Sequence, residues 1–234
     1  LSGVGIPAPE LAFSPQSFEK QAFVGQQQEE TVTVTNEGGN PLDYLVAPIL
    51  SDDANTLLGP EGFDVDPAEF PPGDWFPAGL NDGENWQSTE DFDNSCNAFL
   101  DTEMLPTPSA CIWWSPTFVG TQRLVTPQLN TEGRSEVAVQ FVHQNNNFSG
   151  DYQLRLETTG DGGQTWTTVE SFSSEDFGPR EDMIVVSNED VGSDEFHVAW
   201  TFQGDSFNMW TWAIDDARVA AGADWLAVEP TEGT

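Results

Sequence analysis

The sequence predicts an all-β chain, and three observations carry that prediction. Apolar residues recur at every second position in Glu30–Thr35 (ETVTVT), Val137–Val142 (VAVQFV), Tyr152–Leu156 (YQLRL) and Phe196–Phe202 (FHVAWTF), the period that places alternate side chains on opposite faces of a strand. Stretches with a helical period are scarce. The 16 prolines and 21 glycines fall mostly between the alternating runs, where turns need them, so a sandwich or jelly roll fits better than a helical bundle.

Composition sets bounds on what such a chain does. With 37% hydrophobic and 12% aromatic residues in 234, it is too apolar for a disordered polymer and folds as one large β domain or two ordinary ones. Forty acidic residues against six basic ones give a formal charge of −34. That charge repels phosphate backbones and anionic lipid surfaces, so nucleic acid and membrane surfaces are poor partners. The acidity is spread along the chain and suits saline or calcium-rich surroundings, which screen the self-repulsion. No run of about 18 apolar residues exists, so nothing is expected to span a bilayer. Neither an initiator methionine nor a signal peptide precedes Leu1, and the chain reads as a mature or excised piece of something longer.

In chain order, the first element is the segment from Pro9 to Val46, PELAFSPQSFEKQAFVGQQQEETVTVTNEGGNPLDYLV. It resembles the Ig-like repeats of bacterial surface proteins, which run strand, Gly-led hairpin, TVTVTN strand, G-x-PL and an aromatic strand. Leu1–Pro7 (LSGVGIP) resembles the last strand of such a repeat, and Asp224–Thr234 (DWLAVEPTEGT) its WLxVxPxxGT strand and turn. The resemblance implies an organisation in four pieces. Residues 1–8 are the end strand of a preceding repeat and a linker, and residues 9–58 the first part of an Ig-like module. Residues 59–221 are a large inserted unit, and residues 222–234 resume the Ig-like module without completing it. A partial sandwich leaves unpaired strand edges, so strands are expected from sequence outside these residues or from a neighbouring copy in a head-to-tail array.

The large unit carries four landmarks in order: GFDVDPAEFPPGDW at Gly62–Trp75, NDGENW at Asn81–Trp86, RLVTPQLNT at Arg123–Thr131 and FHVAWTFQGDSFNMWTWAIDDARV at Phe196–Val219. Together they resemble the cleaved-adhesin or choice-of-anchor J family, MAM-like jelly rolls of secreted bacterial proteins. This chain departs from the family in having Asp64 where Glu is common, an insertion before FPPG, and Arg123 where Trp is common. The resemblance implies a MAM-like β-jelly-roll sandwich beside a partial Ig-like β-sandwich, with a structural calcium. Calcium needs six to eight oxygens in a flexible shell. Carried over residue by residue, Asp64 and Asp215 are the first choices for its ligands and Asp216 the reserve, because the first and last strands of a jelly roll commonly lie side by side. Solvated edge carboxylates are the competing reading. Acidic turns at Asp82–Asn85 and Asn188–Glu195 are weaker ion sites.

The remaining signals point away from catalysis. Thr159, Asp161, Gly163 and Trp166 have the spacing of the Asp-box found in sialidases. A single copy reads as turn architecture, an Asp gathering backbone N–H groups over a folded Trp. His143 and His197 sit in alternating runs, where a histidine usually packs, and no HExxH, GxSxG, P-loop or dinucleotide fingerprint occurs. Cys96 and Cys111, the only cysteines, lack zinc-site companions and read as a disulfide, worth roughly 3 kcal/mol in the chain-entropy model. Among nine tryptophans, Trp86, Trp166, Trp200, Trp210 and Trp212 read as core, whereas one of the adjacent Trp113 and Trp114 is expected to face outward as a platform for a sugar ring. The expected function is non-catalytic recognition of a glycan or protein ligand at a cell or matrix surface, in a secreted or cell-surface protein. The alternatives are a structural subunit of a surface filament and an accessory domain of a secreted hydrolase.

Overall fold

The computed structural model describes residues 10–17, 30–41, 44–45, 56–91, 96–101, 105, 108–221 and 232–233. The expected end strand at residues 1–8, and most of the resumed segment at 222–234, lie outside them. The chain divides into two compact units, Leu1–Ala47 with Val228–Thr234, and Pro48–Ala227. Among the described residues all regular structure is strand or short 3-10 turn. No described helix is long and apolar enough to cross a membrane.

In the smaller unit β1 (Leu11–Ser14) and β2 (Thr33–Asn36) pair antiparallel, Leu11 opposite Asn36 and Ser14 opposite Thr33. Asn36 ends β2 because its side chain turns on the backbone, Oδ1 accepting from the Glu10 and Gly38 N–H groups. A second ladder joins β3 (Tyr44–Leu45) to the last strand of the chain at Glu232–Gly233.

The larger unit holds β4 (Thr56–Glu61), β5 (Phe76–Gly79), β6 (Trp86–Ser88), β7 (Ala110–Trp113), β8 (Val119–Val125), β9 (Val137–Asn147), β10 (Gln153–Thr159), β11 (Thr167–Phe172), β12 (Phe177–Val186), β13 (His197–Asp205) and β14 (Met209–Ala221), and Glu232–Gly233 is β15. One sheet runs β11-β10-β13-β8-β5, the other β12-β9-β14-β7-β6 with β4 also on β14, and all pairings are antiparallel. The period of two sets the layers. In β13 Val198, Trp200 and Phe202 point inward, and in β9 Val137, Val139 and Phe141 answer them from the facing sheet. Phe141 and Trp200 meet edge to face, ring centroids 5.3 Å apart, a contact worth roughly 1 kcal/mol beyond the area it buries.

The outward face of the six-stranded sheet has a second apolar layer. Cys111 and Trp113 on β7 and Ala213 on β14 pack against Cys96 and Leu105, and the Cys96–Cys111 disulfide, Cα atoms 6.6 Å apart, ties that segment to the sheet. The Asp101 N–H donates to Gln144 Oε1 on β9. On the five-stranded sheet the outward positions of β8, β10 and β13 carry Arg123, Arg155, Glu157, Thr201 and Gln203 instead.

Candidate functional site

β4 lies antiparallel to β14, with Leu58 opposite Val219 and Glu61 opposite Ala217, so the first and last strands of the larger unit are neighbours. A close approach makes this possible. Gly59 has φ +75°, and a Cβ there would fall 2.2 Å from the Ala217 carbonyl oxygen, a position open only to glycine. Past Glu61 the chain turns through Phe63, whose ring is fully buried at φ +55°. Glu61 Oε1 accepts the Phe63 N–H at 2.9 Å. The turn delivers Asp64 to Asp215: a Cβ on Gly62 would lie 3.1 Å from Asp64 Oδ2 and 3.6 Å from Asp215 Oδ1.

Asp215 is 2% exposed. Burial pushes its carboxyl up to about 7; the Asp216 N–H, donating to Oδ1 at 2.9 Å, holds it down in part, and the charges of Asp216, Asp64 and Glu61 push it further up. Asp216 is exposed at φ +49°, in a register shift of β14 between Asp215 and Arg218. Simple strand alternation therefore does not hold at this pair. Glu61 was not singled out from sequence, although its place before FDVD was the available signal. Among the described residues no group of three or more His, Cys, Asp or Glu side chains is arranged to hold a metal ion. In the Asn188–Glu195 turn, Asp190 Oδ2 accepts from Thr158 Oγ1 and Asn188 Oδ1 from the Asp190 N–H.

The tryptophan pair needs a correction. Trp113 is only 9% exposed, because the disulfide-linked segment covers the face toward which it points, so it offers no platform to a sugar. Trp114 is half-buried, and its indole N–H has no hydrogen-bond partner among the described residues. It begins an aromatic ridge that the sequence reading did not assemble. Phe207, in the turn between β13 and β14, stands edge-on to Trp114 at 6.4 Å. Phe148, just after β9, meets Phe207 at 5.4 Å and Trp210 at 4.7 Å. Phe207 is 51% and Phe148 46% exposed. The turns that bring them together are locked: Ser206 Oγ donates to the Trp114 carbonyl and accepts the Phe118 N–H, and the Phe148 and Ser149 N–H groups donate to the Asn208 carbonyl.

Both histidines are buried. His143 accepts at Nδ1 from Trp212 Nε1–H at 3.3 Å. Its Nε2 lies 2.9 Å from Asp182 Oδ2 and 3.2 Å from Arg180 Nε. Burial holds the imidazole below its usual value against the opposing pull of Asp182, so it packs neutral. His197 Nδ1 lies 2.9 Å from the Thr126 carbonyl oxygen. The Asp-box is a turn: Asp161 Oδ1 accepts the Gln164 and Thr165 N–H groups and the Thr159 hydroxyl, and these bonds pull its carboxyl down to about 2.

No protein-family model matches the sequence, and no curated protein matches it. Solved structures do. The K3 cleaved adhesin domain of Lys-gingipain from Porphyromonas gingivalis is similar over 71% of this chain and 99% of its own, with TM-score 0.50 and 14% identity. TmCBM61, solved in complex with β-1,4-galactotriose, covers 71% of this chain and 98% of its own at TM-score 0.45 and 16% identity. A xylan-binding domain of CBM 22 covers 76% and 100% at TM-score 0.42 and 12% identity. The adhesin likeness establishes the class, a β-sandwich of the kind found in that domain.

Proposed function

We propose that the larger unit is a non-catalytic, extracellular glycan-recognition module that holds saccharide on the ridge formed by Trp114, Phe207, Phe148 and Trp210. The observation that carries this is the exposure of Phe148 and Phe207 on turns fixed by hydrogen bonds to Trp114, Phe118 and Asn208. An apolar surface held rigidly in water costs stability unless a ligand covers it, and aromatic rings match the C–H faces of sugars. A glycan array probed with wild type and Phe207→Ala tests the reading. Binding that weakens roughly tenfold in the variant at unchanged melting temperature supports it, as expected for an anchor in a small interface. Glycan binding untouched by Phe207→Ala and Phe148→Ala, or binding to proteins alone, refutes it.

Calcium is the proposed structural ion, with Asp64 and Asp215 as carboxylate ligands, Glu61 and Asp216 adding negative charge, and backbone carbonyls and water completing the shell. Support comes from Asp215, a buried carboxylate facing like charges, a setting that a divalent cation stabilises. For the smaller unit the proposal is completion by strand addition. In support, each of its two described ladders has two strands, and a sheet of that size offers its edges for further pairing.

A further inference from the structure

We propose a second ligand site on the outward face of the five-stranded sheet, where Arg123 binds the oxyanion of an acidic saccharide, a uronate carboxylate or a sulfate ester. Arg123, Thr201 and Arg155 form one row across β8, β13 and β10, Thr201 being the register partner of both arginines. Glu157, one outward position further along β10, is the anchor. Its carboxylate, 3% exposed, accepts Arg123 Nε–H at 2.8 Å and the Thr201 hydroxyl at 2.8 Å on Oε2, and Arg155 Nη1–H at 3.2 Å on Oε1. Arg155 Nη2 is taken by Gln203 Oε1.

Arg123 is held differently from Arg155. Its Nε is fixed by Glu157, and its guanidinium carbon lies 5.0 Å from the centre of the Trp166 ring. Its two Nη groups make no hydrogen bond among the described residues, and the side chain is 19% exposed. A guanidinium with its inner edge tied and one plane stacked has lost its rotamer freedom in advance, and its outer edge matches two oxygens of a carboxylate or sulfate. Two arginines against one carboxylate also leave a local excess of one positive charge in a chain of net charge −34. Such a background disfavours densely charged polyanions and tolerates a ligand with one oxyanion per sugar unit. Gln203 and Gln153, both exposed and paired across β13 and β10, and half-buried Thr121 opposite Gln203 extend the face with groups that bond sugar hydroxyls.

This inference rests on the glycan-recognition reading but uses none of the ridge residues. The test is calorimetric titration of wild type, Arg123→Lys and Phe207→Ala with a hexagalacturonate, its carboxyl-reduced neutral counterpart, a sulfated galactan oligosaccharide and a hexaglutamate peptide, while NMR follows the arginine Nε–Hε resonances. The expected result is that one acidic saccharide shifts the Arg123 resonance saturably and that its affinity falls roughly tenfold in Arg123→Lys, which keeps the charge and loses the fork. Whether uronate or sulfate responds identifies the oxyanion. The neutral counterpart binding as tightly as the acid, the peptide binding as tightly as the saccharides, or an Arg123 resonance unmoved by every probe overturns the proposal. Should Arg123→Lys fail to fold, Trp166→Phe, which weakens only the stack, gives the same comparison. Loss of binding in Phe207→Ala with the Arg123 response intact speaks to the ridge alone.

Discussion

The two outward faces of the sandwich solve the same problem by opposite means. On the six-stranded sheet Cys111, Trp113 and Ala213 are apolar and are covered by a segment that a disulfide fastens down. On the five-stranded sheet the corresponding layer is ionic, one buried glutamate held by two arginines and a threonine. A covalent lid removes surface from water and closes it to ligands. An ionic lattice must keep its outer edge hydrated, because burying all three charges would cost more than their attraction returns. The difference teaches which face remains available for recognition.

That contrast breaks at measurable points. The largest effect is expected from Cys111→Ser, which frees the covering segment: roughly 3 kcal/mol of stability by chain entropy, read as a lowered denaturation midpoint, with Trp113 becoming accessible to acrylamide quenching. Glu157→Ala should come next at about 2 kcal/mol, the range for a broken buried pair reduced because both arginines keep some access to water. Its destabilisation should shrink as salt rises, whereas that of Cys111→Ser should not. For calcium, chelation should lower the melting temperature of wild type, and Asp215→Asn should abolish that response while leaving the metal-free protein no less stable, since it removes a buried charge. A calcium response that survives Asp215→Asn rules out this site.

The smallest effect concerns pH. His143 has a folded-state value below the unfolded 6.5, so the unfolded chain binds the proton more readily, and stability is lost as pH falls from 6.5 through the folded value. Asp215 works in the other direction: raised to about 7, it favours the metal-free folded state at low pH and loses that contribution as pH climbs from about 4 to 7. The difference between wild type and His143→Gln in denaturant melts from pH 7.5 to 5 isolates the histidine. It should narrow as pH falls, and a constant difference would show that His143 does not titrate on unfolding.

Much of the fold was legible because backbone and burial follow one rule. Three of the alternating runs fall on β9, β10 and β13, the Glu30–Thr35 run becomes strand β2 only from Thr33, and the prolines and glycines fall mainly between strands. Alternation of apolarity stopped at Val142, yet β9 continues to Asn147, because buried Asn145 meets its demands through the Ser174 and Glu175 carbonyls. Polarity hid a core position there. The neighbouring of the first and last strands was anticipated through Asp64 and Asp215. Trp113 was misjudged because strand alternation says which face a side chain takes and nothing about what covers that face. The ridge and the Arg123–Glu157 lattice escaped notice because their members sit on separate strands and turns, joined only by sheet register.

The ladder between β3 and β15 has a mechanical consequence. Tyr44 is opposite Gly233 and Leu45 opposite Glu232, so the incoming and outgoing chain leave this pairing at the same side, with the whole of the larger unit strung between its far ends. A pull applied to the two ends of the polypeptide loads this ladder in the unzipping direction, in series with the β1–β2 ladder that precedes it. While it holds, the larger unit is slack, outside the line of force. Its grip on a ligand is then insulated from tension in the chain that carries it, and opening of the ladder releases stored length before any strand of the sandwich is strained.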